Sequence, residues 1–203
     1  MKKILLLGML SALLFSCKNN NKIINVERAF YYWKSDDYRY DNNVDSILKT
    51  AKTQKLYLKF FEVEHNELMG NIPIAKNRMR FYNNIIEVIP TVFIKNDVFL
   101  KSSLKDLDLL ADNINFLINK FRSDGFDKEV IVKEFQIDCD WTLKSKKNYF
   151  YFLKKIKAIS KKDISCTLRL YPYKYREKMG IPPVDKVTLM CYNLLNPDRK
   201  SVV

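Results

Sequence analysis

Glu134-Phe135-Gln136-Ile137-Asp138-Cys139-Asp140-Trp141-Thr142 reads as the end of a β-strand that closes on two acids. The apolar lead-in makes 130–138 a strand, and its period of two puts Asp138 and Asp140 on one face. Neighbouring segments set the context of that strand. On its N-terminal side, 104–121 carries Leu107, Leu110, Ile114, Leu117, Ile118 and Phe121 at helical spacing. Ser103 is placed to cap it, with Asp106 three residues on. On its C-terminal side, 146–159 is a second helix with Tyr149, Phe150, Leu153 and Ile156 inward, followed by strands over 164–170 and 187–192.

The first half of the chain repeats the alternation. Residues 29–33 form a short aromatic strand, 41–53 an amphipathic helix, 56–63 a second strand and 87–94 a third. Pro90 cannot donate to a ladder and is expected at a bulge or unpaired position. The loop before that third strand holds Asn66, Gly70, Asn71 and Pro73, and one helical turn is expected near 174–178.

Strands alternating with helices predict an α/β fold with a parallel sheet. A (β/α) TIM-like barrel and an open doubly wound sheet both satisfy the pattern. No glycine-rich phosphate loop follows any strand. Polar groups gather at the C-terminal ends of strands: Lys34, Glu62 with Glu64, Asp138 with Asp140, Arg169, and Asn193. In barrels that face carries the chemistry, so the barrel is the expectation. About six βα units are visible where a complete barrel has eight over about 250 residues, so the barrel is expected to be incomplete, its chain truncated at the C-terminus.

Bulk composition agrees with one domain over 27–203. The chain has 203 residues, 47% of them hydrophobic and 29% charged, with 4 glycines and 6 prolines, so no flexible linker divides it. A formal charge of +13 favours polyanionic neighbours. The basic residues fall as singles and pairs, such as Lys154-Lys155 and Lys161-Lys162, which reads as a solvated surface.

Residues 1–16, MKKILLLGMLSALLFS, have a positive start and an apolar run too short to span a bilayer. Leu14-Phe15-Ser16-Cys17 resembles a bacterial lipobox. That resemblance implies removal of 1–16 and acylation of Cys17, with 17–26 as a polar tether and the lipid bilayer, outer membrane in particular, as partner. A plain secretory signal is the alternative. An envelope protein does not meet the chromosome, so nucleic acid is not an expected partner. Cys139, Cys166 and Cys191 lie in apolar strand-like runs without metal-ligand spacing and are expected as buried thiols, with a disulfide between two of them as the alternative.

Two carboxylates in one barrel mouth suit glycoside hydrolysis, in which one protonates the leaving oxygen and the other stabilises charge or attacks. Structural ion pairing with Arg169 and a lysine is the competing reading. The stretch resembles the fourth strand of chitinase-like glycoside hydrolases, whose signature is Asp-x-x-Asp-x-Asp-x-Glu, and Leu189-Met190-Cys191-Tyr192-Asn193 is similar to the family's Met-x-Tyr-Asp. Asp138 and Asp140 match the second and third acids. Phe135 replaces the first, Thr142 stands in the place of the catalytic Glu, and Asn193 replaces an acid. A threonine hydroxyl has no accessible pKa, so the family's general acid is missing.

A second resemblance runs over 31–193. YYWK, LYLKFFEV, IPTVFI, QIDCDWT, CTLRLYPYKY, GIPPVD and LMCYN are similar to a group of uncharacterised Bacteroidetes lipoproteins with longer barrels. Together these readings predict a membrane-anchored lipoprotein with a glycoside-hydrolase-like, carbohydrate-processing barrel that needs no cofactor. Asp138 and Asp140 are the candidate catalytic residues, and Arg169, Tyr192, Asn193, Trp33 and Glu62 bind substrate. The alternative is a non-catalytic glycan-binding protein or an inactive truncated one. Trp33, Trp141, Tyr171, Tyr173 and Tyr175 are candidates for stacking on sugar rings. His65, near Glu62, Glu64 and Glu67, is an incomplete metal set and reads as a loop histidine. No serine-hydrolase elbow is present.

Overall fold

Each apolar run between the helices pairs with the next one along the chain. The computed structural model describes residues 26–34, 38–39, 42–77, 79–80, 86–127, 130 and 132–192. The expected signal segment, Cys17, most of the tether and Asn193 lie outside them. Elements in chain order are β1 (Ala29–Tyr32), β2 (Tyr38–Arg39), α1 (Asn42–Thr50), β3 (Lys55–Asn66), β4 (Gly70–Ile74), β5 (Met79–Arg80) and β6 (Glu87–Ile94). They continue with α2 (Asn96–Lys101), α3 (Leu104–Gly125), β7 (Glu134–Asp138), α4 (Lys146–Ser160), β8 (Asp163–Arg169), α5 (Leu170–Lys174), α6 (Arg176–Met179) and β9 (Lys186–Met190).

The main sheet runs β1-β3-β6-β7-β8-β9, with all five pairings parallel. Its strand order never reverses, which removes the doubly wound alternative. The sheet curls into a half-barrel with helices between strands. The Tyr31 hydroxyl on β1 comes close to Thr188 on β9, so the first and last strands approach across the concave side.

Alternation along the strands sorts two faces. Leu56, Leu58, Val88, Val92, Phe135, Ile137, Ile164 and Cys166 are buried on the helix side. There they meet Leu107, Leu110, Ala111, Ile114 and Ile118 of α3 and Tyr149, Phe152, Leu153 and Ile156 of α4. Each fully buried side chain of this kind contributes about 1.5–3 kcal/mol. Ser103 caps α3 in a reciprocal capping box with Asp106.

One feature departs from expectation and another refines it. The segment read as a loop before β6 contains β4, an antiparallel partner of β3 joined by a turn in which Asn66 accepts from the Leu68 and Met69 amides. Pro90 pairs with Leu58 of β3 but has no register partner on β7, where pairing starts at Thr91, and the bulge beside it falls on β3, where Phe60 is extra between Lys59 and Phe61. This bulge turns both Phe60 and Phe61 into the core, against Phe121. Beyond it, Glu62 and Glu64 return to the concave side.

Candidate active site at the mouth of the half-barrel

Along β7 and β8 the concave face is polar. From β7 it carries Glu134, Gln136 and Asp138, and from β8 Ser165, Thr167 and Arg169, as the register of the two strands dictates. Thr91, Glu134, Gln136, Ser165 and Thr167 are all buried. At the floor, Lys186 on β9 reaches over β8 to Glu134, 2.7 Å away, and lies 3.5 Å from Asp163. In the middle, Gln136 donates to Ser165 and Thr188, both at 3.3 Å. Tyr31 and Tyr57 stack at 4.6 Å, and burial pushes the Tyr31 hydroxyl up to about 12.

The mouth holds the two acids. Burial pushes the Asp138 carboxyl up from its ordinary 3.8 to about 6, and the nearby Asp140 charge adds to the rise. The Thr167 hydroxyl, which donates to Asp138, and the Arg169 guanidinium oppose it without cancelling it. Asp140 is held differently: Arg169 Nε lies 3.0 Å from its Oδ1, while Arg169 Nη2 donates to the Trp141 carbonyl at 3.0 Å. Tyr192, mostly exposed, belongs to the same field. Burial raises its hydroxyl pKa, Asp140 and Asp138 raise it further, and Arg169 pulls it down.

Trp33 and Glu62 stand at the mouth from the β1 and β3 side. Lys59 bridges them, with Nζ 2.5 Å from Glu62 Oε1 and 5.6 Å from the Trp33 ring centre. The Trp33 ring meets Phe93 edge-on at 6.5 Å, and Phe93 is the register partner of Asp138. The strands thus bring Asp138, Asp140, Arg169 and Tyr192 together, and Phe93 connects them to Trp33 and Glu62.

Other residues have different work. Trp141 is buried on the helix side against Tyr149 and Phe150, so it is not a stacking surface. Thr142 is exposed on the turn before α4, its amide donating to Ser145 Oγ at 2.9 Å. His65 Nδ1 lies 3.0 Å from Asn71 Oδ1 across β3 and β4. Among the described residues no three His, Cys, Asp or Glu side chains converge to hold a metal ion. Cys139 and Cys166 are free and buried, and burial raises both thiols, Cys166 to about 12. Cys191 is exposed because it follows the edge strand β9, which corrects its reading as a buried thiol.

Phe93, Thr167, Lys59 and Tyr31 were not singled out from sequence. Stepping back two residues from Arg169 and from Trp33 finds Thr167 and Tyr31. The bulge breaks the same count along β3, which hides Lys59. Among the described residues no helix is long and apolar enough to cross a membrane. No protein-family model, no curated protein and no solved structure matches the chain.

Proposed function

We propose that the protein is an envelope lipoprotein, anchored through acylated Cys17, whose TIM-type barrel acts on carbohydrate at the Asp138 mouth. The observation that carries this reading is the split between two neighbouring carboxyls. Asp138 holds a proton up to about pH 6, while Asp140 is tied to a guanidinium. Two carboxyls in contrasting environments are the equipment of glycoside hydrolysis. Asp138 gives its proton to the leaving oxygen as the glycosidic bond breaks. Water adds at the anomeric carbon, and its proton returns to the Asp138 carboxylate. Asp140 and Arg169 fix the polar end of the sugar, Tyr192 hydrogen-bonds it, and Trp33 offers an apolar ring.

One observation favours a second reading, glycan binding without turnover. Arg169 already occupies Asp140, and the place that the chitinase-like resemblance gives to the general acid is Thr142, bonded into a turn.

A glycan array with reducing-sugar release, run on wild type, Asp138→Asn and Asp140→Asn, tests both. Release that disappears in Asp138→Asn supports hydrolysis. Binding without release in all three supports the second reading, and no binding to any glycan sinks both. Radiolabelled fatty acid incorporation, lost in Cys17→Ser, tests the anchor.

A further inference from the structure

We propose that the solvent face of α4 lies against an anionic lipid bilayer, an orientation that rests on the envelope location proposed above. Residues 144–162 hold eight lysines and no Asp or Glu, against a net charge of +13 for the whole chain. In the sequence these lysines look like scattered singles and pairs. Folding gathers them. Lys147 and Lys154 are seven residues apart, just under two turns, so they lie on one line about 10.5 Å apart, and Lys161 at the helix cap continues it. All three are exposed, opposite the buried stripe of Tyr149, Phe152 and Ile156. None makes an ion pair with a described residue, whereas the flanking Lys155 and Lys157 are held by Asp108 at 3.2 Å and Asp185 at 2.5 Å.

The N-terminal end of this face adds apolar side chains. Leu143 is 46% exposed and Ile181 75%. Ile181 is kept beside α4 because Gly180 packs onto its first turns, where a Cβ at Gly180 would come within 3.3 Å of the Phe150 ring. Lysines along a helix face attract anionic head groups, and apolar side chains at its tip enter the boundary below them. A soluble acidic polysaccharide would satisfy the lysines and leave Leu143 and Ile181 in water, so lipid is the occupant the surface fits. Because α4 returns the chain between parallel strands, it runs back along them. Laying it on a bilayer therefore points the Asp138 mouth along the membrane surface.

The test is lysine acetylation of the full chain reconstituted in phosphatidylcholine vesicles with and without phosphatidylglycerol, read by mass spectrometry. Lys147, Lys154 and Lys161 are expected to be protected at least about threefold in the anionic vesicles only, with protection lost in about 1 M salt. Lys49 and Lys52, by the β1–β3 crossover, are expected to label equally in both. Reversing all three lysines to Glu should weaken binding to anionic vesicles at least about tenfold while circular dichroism stays unchanged. Equal labelling in the two lipids, equal binding by the reversed variant, or the same protection by alginate in free solution overturns the proposal. The anchor is read separately: retention on neutral vesicles that Cys17→Ser loses supports acylation whatever α4 does.

Discussion

Arg169 Nε stands 3.0 Å from Asp140 Oδ1, and the same guanidinium donates to the Trp141 carbonyl, so one side chain ties the acid to the backbone beyond it. Asp140 in turn raises its neighbour Asp138 by charge repulsion. Asp140→Asn removes that repulsion and leaves Arg169 to act on Asp138. The Asp138 pKa is expected to fall from about 6 toward its ordinary 3.8, followed by carboxyl carbon NMR titration. An unchanged or higher value would show that the two acids are not coupled.

Burial of Asp138 has a signed effect on stability. The unfolded chain releases this proton near 3.8 and the folded chain near 6, so between those values the folded state binds more protons. The contribution is fully present below about pH 4 and is lost as pH rises through 6, amounting to up to about 3 kcal/mol. Asp138→Asn cannot ionise, so its urea-denaturation stability should lack this decline and exceed wild type at pH 7. Parallel wild-type and variant curves from pH 4 to 7 would contradict it. On the hydrolytic reading, turnover falls over the same rise through pH 6, because the acid is then deprotonated.

Lys186 and Glu134 form the floor of the concave face, with the Glu134 side chain fully buried and the Lys186 side chain half exposed. Lys186→Met leaves a buried carboxylate unpaired and is expected to destabilise by about 2–3 kcal/mol. Adding Glu134→Gln should restore most of the loss. Chemical denaturation of the double-mutant cycle measures this, and strictly additive effects would mean that the pair is not coupled.

Ser103 accepts from the Asp106 amide at 3.3 Å, and Asp106 accepts from the Ser103 amide at 2.9 Å. Ser103→Ala is expected to cost about 1 kcal/mol, read as a lower urea midpoint with the slope unchanged. A change within error would mean that packing of Leu107 and Leu110 alone fixes the start of α3.

Much of this architecture was legible because local pattern and burial agree. Residues 88–94 are apolar but for Thr91, as a strand covered on both faces requires, and with Glu87 ahead of them they form β6. The α3 start was legible from its capping pair. β4 was not, because Gly70, Asn71 and Pro73 read as turn residues and every residue of the strand is half-buried. The bulge was hidden too, since Phe60-Phe61 suits a continuous buried run as well as a bulged one. For the site, the period of two placed Asp138 and Asp140 together, but nothing local says that Arg169 arrives from the next strand to hold one of them. That pairing depends on the β7–β8 register, which is a tertiary property.

Tyr31 reaching Thr188 has a further consequence, for the order in which the chain folds. The two residues stand near opposite ends of the described chain, and they come close only once the intervening strands have paired and the sheet has curled. Contacts between such distant positions carry a large loop-closure cost, so they are late events. The Tyr31 hydroxyl is therefore a built-in clock. The part of the alkaline ultraviolet ionisation signal that Tyr31→Phe removes should recover in the last kinetic phase of refolding, after helix signal from α3 and α4 has returned.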